Sequence, residues 1–247
     1  MNKRVLLGFL LLLVVYQASE GLQTVVARGN PLGPALMLLA LALAWPVGRW
    51  IDGSGWRAFG LLRPRWLGLL GGGLLLAILA KFAAEALALG LGIETFAPML
   101  ALPVSALGLL ALTTFIPSLA EDILTRGFLL RFTPKPLGFW AYVLASALLY
   151  TGNHLWRFDW GLTEQLRLFC LGLAYAAAAY RFRSLWAAVG LHCGWNFAGA
   201  ALSQAWPTTL ADAASGRLVS AAVHLLLFAV IAGWVHAAQP ADNPSKV

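Results

Sequence analysis

The chain has 247 residues, of which 60% are hydrophobic and only 11% are charged. Soluble domains usually carry about a quarter charged residues, so this composition excludes an ordinary water-soluble globule. The net charge of +7 does not indicate a nucleic-acid partner, because the basic residues are scattered through short loops and form no dense patch. An excess of Lys and Arg is typical of the cytoplasmic loops of an integral membrane protein.

Eight apolar segments follow one another along the chain, and each approaches the ~20 residues that a helix needs to cross the hydrocarbon core. They are residues 5–26, 31–48, 67–91, 102–120, 137–155, 162–180, 184–202 and 217–238. The pattern predicts an all-α fold, a polytopic transmembrane bundle of about eight spans. The first segment has the basic start and short apolar core of a signal peptide, but no clean cleavage site follows Tyr16, which favours a retained span.

The distribution of basic residues predicts the orientation. With the N-terminus inside, eight spans place twelve of the 17 Lys and Arg on the cytoplasmic side. We therefore expect both termini to be cytoplasmic, in a bacterial inner (plasma) membrane. Residues 51–66 mix tryptophans and arginines and predict an interfacial loop or short helix, and residues 240–247 predict a polar tail.

Ionisable residues inside the apolar segments need an explanation, because a charge in the bilayer costs several kcal/mol unless it is paired or faces a cavity. Lys81 and Glu85 are four residues apart on one predicted helix and are expected to pair. His224 and His236 are expected to hydrogen-bond between helices. The two cysteines have no metal-type spacing and are expected to be packing residues.

Glu121, Asp122 and Arg126 end the fourth apolar segment. Asp122 and Arg126 are four residues apart and share a helix face, so they can form an ion pair. Glu121 points about 100° aside, so it can face a cavity and act as a general base. The alternative is an ordinary helix end at the membrane surface, with Arg126 as a cytoplasmic anchor.

Two further segments carry histidines with polar or aromatic neighbours four residues away. His154 follows Tyr150, and His192 precedes Asn196. A histidine and an amide on one face can present two donors to a developing oxyanion. Alternatively, His154, His192 and Glu121 are a zinc set with one open position. Either way, we expect one polar cavity among the helices of the C-terminal two-thirds.

These motifs resemble those of the CAAX-protease and bacteriocin-processing (CPBP) family, which read E-E-x-x-x-R, F-x-x-x-H and H-x-x-x-N/D. The resemblance covers about residues 105–202, in a predicted catalytic core at 101–205. N-terminal transmembrane helices at 1–100 precede this core, and a last helix with the polar tail at 206–247 follows it. Asp122 replaces the usual second glutamate, and Tyr150 replaces the usual phenylalanine. The shorter Asp122 would reduce activity if the second carboxylate is catalytic, and it is adequate if that carboxylate mainly anchors Arg126.

The resemblance implies an intramembrane endopeptidase. In that family pattern Glu121 and His154 activate water, His192 and Asn196 stabilise the oxyanion, and Asp122 and Arg126 support them, with Tyr150 at the aromatic position of the second motif. The cofactor is either none or a divalent metal such as Zn. The lack of an H-E-x-x-H motif and the presence of Asn196 favour the metal-independent mechanism.

The resemblance also implies partners: membrane lipid, and a protein or peptide substrate with a prenylated C-terminus, a bacteriocin leader or a sorting segment. A membrane binding or transport protein with the same polar cavity is one alternative, although no half-to-half repeat supports it. A non-catalytic maturation partner is the other, and Asp122 is the residue that suggests it.

Overall fold

The structure, a computed structural model, describes residues 2–26, 30–62, 64–133 and 135–237, which form a helical bundle. The α-helices are α1 (Lys3–Gly21), α2 (Leu32–Asp52), α3 (Trp66–Gly90), α4 (Val104–Asp122), α5 (Phe128–Phe132), α6 (Phe139–Asn153), α7 (Leu162–Phe182), α8 (Leu185–Ala205) and α9 (Ala213–Ala237). The π-helical turns Leu22–Val26 and Ile123–Gly127 extend α1 and join α4 to α5, and the 3₁₀-helices Gly55–Phe59 and Leu155–Trp160 precede α3 and α7. The predicted tail at 240–247 and the side chain of His236 lie outside the described part.

Each predicted apolar segment coincides with a helix, so the all-α fold is confirmed. Within the described ranges, five helical stretches are long and apolar enough to cross a membrane by length and composition. They are Lys3–Val26, Leu32–Asp52, Trp66–Gly90, Val104–Phe132 and Ala213–Trp234. Because α6, α7 and α8 are not among them, the count of eight spans stays a prediction.

The helices α7 and α8 lie in the middle of the bundle. Every residue from 170 to 179 on α7 is buried, including the four alanines at 176–179. A helix that is buried on every face needs small or apolar side chains all round, and alanines let neighbouring helices approach closely. This central position places the polar residues of α8 inside the protein.

Glycines set the close approach of α8 to α3. A Cβ atom at Gly190 would lie 2.4 Å from the Leu70 carbonyl oxygen, and one at Gly194 would lie 2.5 Å from that of Leu74. Only glycine fits at such backbone-to-backbone contacts. Since His192 lies between these two glycines in the sequence, the contact with α3 also fixes its depth in the bundle.

A small antiparallel sheet joins β1 (Glu94–Phe96) to β2 (Thr208–Leu210), with Thr95 opposite Thr209. It connects the loop after α3 to the loop after α8, and Phe96 stacks on Trp206 with ring centroids 4.2 Å apart. The sequence did not predict these strands, because three residues are too few to show a period-2 pattern.

The segment at 51–66 is only partly the predicted short helix. Its 3₁₀ turn buries Ala58 and Phe59 completely, while half of the Trp56 surface stays exposed. The Gly60 carbonyl accepts a hydrogen bond from the Leu185 amide at 2.9 Å. The segment therefore packs against the start of α8, and its position at a membrane interface stays a prediction.

Candidate active site

Glu121 and Asp122 are the last two residues of α4, and both are buried. The chain continues from Asp122 into the π-helical turn Ile123–Gly127, whose five residues are also buried. A π turn inside a helix is often found at functional sites, because it changes the direction in which neighbouring side chains point. Here Asn153 bonds to Glu121 and Arg126 pairs with Asp122, while the two ring nitrogens of His192 lie near one carboxylate each.

The Glu121 carboxylate is held by one direct hydrogen bond. Asn153 donates to its Oε1 at 3.0 Å. His154 Nδ1 lies 3.5 Å from Oε1, and His192 Nε2 lies 3.6 Å from Oε2. Both distances exceed an ordinary N–H···O hydrogen bond, so the carboxylate keeps free acceptor capacity beside two imidazoles.

Asp122 forms the predicted ion pair with Arg126 and also accepts a hydrogen bond from His192 Nδ1 at 3.2 Å. Arg126 is completely buried, and its guanidinium lies over the Tyr150 ring at 4.6 Å and the Tyr175 ring at 5.2 Å. Cation–π contacts of this kind stabilise a desolvated guanidinium. Arg126 therefore has its partners inside the protein, while its position relative to the membrane surface and its inclusion among the cytoplasmic charges stay predictions.

His154 lies directly after the last residue of α6 rather than inside a helix. Its Nδ1 is 2.8 Å from the Tyr150 carbonyl oxygen, which accepts the N–H of that ring nitrogen. The Tyr150 ring also touches both imidazoles, with centroids 4.8 Å from His154 and 5.7 Å from His192. Tyr150 therefore orients His154 through its backbone and packs against His192 through its ring.

The face of α8 that carries His192 and Asn196 points toward the end of α4. Asn196 Nδ2 donates to Ser118 Oγ at 3.3 Å, which leaves its second N–H available. The ring of Tyr175, on α7, stacks on His192 with centroids 5.3 Å apart. Contacts with Asp122 and Tyr175 thus fix the imidazole ring from two sides.

One cavity of about 100 Å³ brings the four predicted catalytic side chains together, from the ends of α4 and α6 and from α8. This volume is enough for several water molecules. It is lined by Tyr16, Glu20, Pro117, Ser118, Glu121, Tyr150, His154, Arg157, Arg167, Leu168, Leu171, His192 and Asn196. The cavity is thus a polar, water-sized chamber among helices that are otherwise apolar.

Some lining residues were not predicted from the sequence. Tyr16 and Glu20 come from α1, and Gln17 on the same helix donates to the Asn153 carbonyl oxygen at 2.7 Å. Arg157 and Arg167 come from the chain between α6 and the middle of α7. A glutamate four residues after a tyrosine inside an apolar segment was the available signal, because an intramembrane carboxylate marks a functional site by default.

A buried carboxylate holds the arginine side of the cavity. Glu164 is almost completely buried and accepts a hydrogen bond from Arg167 Nε at 2.9 Å. Arg217, on α9, lies 3.3 Å from the same carboxylate, and Arg157 lies 3.8 Å from it. This network links α7 and α9 to the 3₁₀-helix after His154 and fixes that wall of the chamber.

A zinc ion would need three donor side chains around one point. Among the described residues, no three His, Cys, Asp or Glu side chains are grouped so that they could share one metal ion. His154 Nδ1 is bonded to the Tyr150 carbonyl oxygen, which leaves Nε2 as the ring nitrogen outside that bond. No catalytic step is therefore derived through a metal, and the metal requirement stays a prediction to be tested.

The remaining intramembrane residues have structural contacts. Lys81 and Glu85 form the expected ion pair. His224 makes the expected interhelical hydrogen bond, with Nε2 3.2 Å from the Tyr175 hydroxyl. Cys170 and Cys193 are buried free cysteines, in agreement with a packing role.

A comparison with protein families gives an independent result. Residues 103–198 match the family described as "Type II CAAX prenyl endopeptidase Rce1-like". The match runs from the start of α4 into α8 and includes all three motifs, which confirms the resemblance predicted from them. No curated protein matches the chain.

Proposed function

Given that residues 103–198 resemble the CPBP membrane proteases, we propose that the chain hydrolyses a peptide bond in or near the membrane with a water molecule activated by Glu121 and His154. The observation that carries the proposal is the convergence of four polar side chains, Glu121, His154, His192 and Asn196, on one chamber of about 100 Å³. Separate structural roles would not require these groups to meet.

Glu121 is the general base of the proposed reaction. Among the described residues, Asn153 is the one direct hydrogen-bond donor to its carboxylate, which can therefore accept the proton of a water molecule in the chamber. His154 lies 3.5 Å from the carboxylate and helps to orient that water. The water oxygen attacks the scissile carbonyl carbon, and Glu121 later returns the proton to the leaving amine.

His192 and Asn196 stabilise the tetrahedral oxyanion. His192 and Asn196 both line the chamber, and the bond to Ser118 uses one of the two amide hydrogens of Asn196. Asp122 accepts from His192 Nδ1, and a proton on Nε2 of the same ring would be the one donated to the substrate oxygen. Preorganised donors of this kind, shielded from bulk water, are usually the largest contribution to acyl-transfer catalysis.

The position of Asp122 supports an active enzyme rather than a maturation partner. Its shorter side chain still reaches both Arg126 and His192. In this arrangement the second carboxylate orients other groups, and the first carboxylate performs the chemistry. The replacement of the usual glutamate by Asp122 therefore leaves the proposed mechanism intact.

The decisive experiment replaces the proposed base. Glu121→Gln keeps the size of the side chain and its hydrogen bonding, but it removes the proton acceptor. We expect cleavage to fall by about 10²- to 10⁴-fold, the usual contribution of general acid–base catalysis. The measurement is hydrolysis of quenched fluorescent peptides in detergent by the purified full chain, using prenylated C-termini, leader peptides and sorting tails as the three substrate classes.

Asp159→Asn is the control for this experiment, since Asp159 is exposed and does not line the chamber. It removes the same charge and should cleave like the unchanged chain. A Glu121→Gln variant as active as this control would refute the proposed mechanism.

Chelation tests the metal requirement separately. Because the described side chains provide no three-ligand group, we expect full cleavage after treatment with 1,10-phenanthroline and after dialysis against EDTA. Loss of activity that returns on addition of Zn²⁺, but not of Mg²⁺, would show that a zinc ion is needed.

A further inference from the structure

A second cavity of about 290 Å³ adjoins the catalytic chamber between α1, α2 and α4. Glu20 and Pro117 line both cavities, so these residues lie at the boundary between the two spaces. Apolar side chains, among them Met37, Leu38 and Ile116, form much of the remaining wall. The second cavity is therefore a mainly apolar approach to the chamber with a carboxylate at the junction.

Pro117 also changes the backbone at this junction. It lies inside α4 and has no N–H, so the Thr113 carbonyl lacks the donor that the residue four positions later would normally supply. Thr113 lines the second cavity. An extended peptide lying there can donate one of its own N–H groups to that carbonyl, as peptides do when they pair with a free backbone acceptor.

Glu20 has no ion-pair partner within 4.0 Å among the described residues. Arg157 is the basic residue whose charge acts on it, and Arg157 is already paired with Glu164, while Glu121 adds a second negative charge nearby. An intramembrane carboxylate without its own counter-ion is costly, and a ligand cation can remove that cost. The junction therefore favours a positive group next to the chamber.

The geometry points to Glu20 as the residue that selects a substrate with a Lys or Arg side chain close to the scissile bond. The peptide lies extended through the second cavity, its basic side chain pairs with Glu20, and its carbonyl enters the chamber beside Glu121. This inference rests on the proposed function, because it assigns the approach and the specificity of the same site.

Binding tests the inference without requiring cleavage. The full chain carrying Glu121→Gln is titrated in detergent with fluorescein-labelled apolar peptides that differ at one position, which is Lys, norleucine or Glu. Separate peptide sets place the varied residue at each of the three positions before and the three positions after the bond expected to be cleaved. We expect the Lys peptide to bind at least about tenfold more tightly than the norleucine peptide at one position, by fluorescence anisotropy.

Changes at Glu20 should alter that preference without unfolding the protein. Glu20→Gln, in the same background, should bind the Lys and norleucine peptides equally, and Glu20→Lys should prefer the Glu peptide. Asp159→Asn should keep the original preference. The thermal unfolding midpoint of each variant shows whether it is folded.

The outcomes separate this inference from the proposed mechanism. A preference for Lys that survives Glu20→Gln, or no preference at any position, would overturn the role of Glu20 even if the unchanged chain cleaves peptides. If the Lys preference depends on Glu20 but the unchanged chain cleaves no peptide, the binding role of Glu20 is supported and the proposed protease activity is refuted.

Discussion

At the scale of single residues, the orientation of Glu121 depends on side chains outside the three motifs. Asn153 donates to its carboxylate, and Gln17 donates to the backbone and side-chain oxygens of Asn153 at 2.7 and 2.9 Å. Removing one hydrogen bond to a charged group costs about 1.5–3 kcal/mol. The proposed base is therefore positioned by a chain of hydrogen bonds that begins on α1.

Asn153→Ala should lower kcat by about 10- to 100-fold, because the carboxylate loses its only direct hydrogen-bond donor. KM should stay within about twofold, since Asn153 does not line the chamber. Steady-state kinetics on a cleaved peptide measure both constants. Gln17→Leu removes a contact one step further from Glu121 and should have a smaller effect on kcat. For either variant, a rise in KM as large as the expected fall in kcat would instead indicate a substrate-binding role.

The sequence could predict some of these residues and not others. Asp122 and Arg126 were paired correctly because helical spacing alone brings them together. The tyrosine rings on both sides of Arg126 and the donor role of Asn153 depend on how three helices are rotated relative to one another. No periodicity in one segment contains that information.

At the scale of elements, each of the two π-helical turns begins two residues after a glutamate that lines the chamber. Leu22–Val26 begins two residues after Glu20, and Ile123–Gly127 follows Glu121 and Asp122 directly. Two side chains of α6 bond to the second turn: Ser146 donates to the Thr125 carbonyl at 3.0 Å, and Tyr142 donates to that of Arg126 at 3.3 Å. A π turn adds about one residue to a single helical turn, which is too small a change to detect in an apolar sequence.

The contact between α3 and α8 provides a prediction at the same scale. Gly194→Ala would put a Cβ atom 2.5 Å from the Leu74 carbonyl oxygen, so the two helices must separate. We expect a loss of about 1–3 kcal/mol in the free energy of unfolding, as for other overpacked sites, together with weaker cleavage because His192 moves. Thermal unfolding in detergent and peptide hydrolysis measure the two effects.

Gly199→Ala is the matched control on the same helix, because its Cβ would make only an ordinary contact, 3.4 Å from Lys81 Cε. It should behave like the unchanged chain. Equal unfolding midpoints for the two alanine variants would show that the close approach of α3 and α8 is not needed.

At the scale of the whole molecule, the small sheet joins loops that are more than a hundred residues apart, and it carries a titratable group. Burial, and then the neighbouring Glu85 carboxylate, raise the pKa of Glu94 on β1 from 4.5 to about 7. The folded protein therefore binds a proton at pH values where the unfolded chain has released it. The stabilisation is complete below about pH 4.5 and is lost as the pH rises through about 7.

Glu94→Gln should remove this pH dependence, because glutamine keeps a neutral side chain at every pH. For the unchanged chain in detergent, we expect the temperature of the unfolding midpoint to decrease as the pH is raised from 4.5 to 7.5. For the variant, the part of this decrease that is due to Glu94 should be absent. If both proteins show the same slope, another group is responsible for it.

The sequence predicted the helices of the whole molecule better than their arrangement. Long apolar segments and the spacing of the motifs indicated an all-α bundle and a polar cavity. They did not indicate that α1 lies beside the end of α6, because the partners Gln17 and Asn153 are 136 residues apart. Contacts over such separations depend on packing between helices, to which each segment contributes only one surface.

That separation has a consequence for biosynthesis. When the ribosome has released α1 into the bilayer, Glu20 has no chamber to line, Gln17 has no Asn153 to bond, and His192 has not yet been translated. The proposed hydrolysis can begin only after α8 has docked against α3. A nascent chain therefore lacks the complete set of groups for the proposed reaction until its assembly is nearly complete.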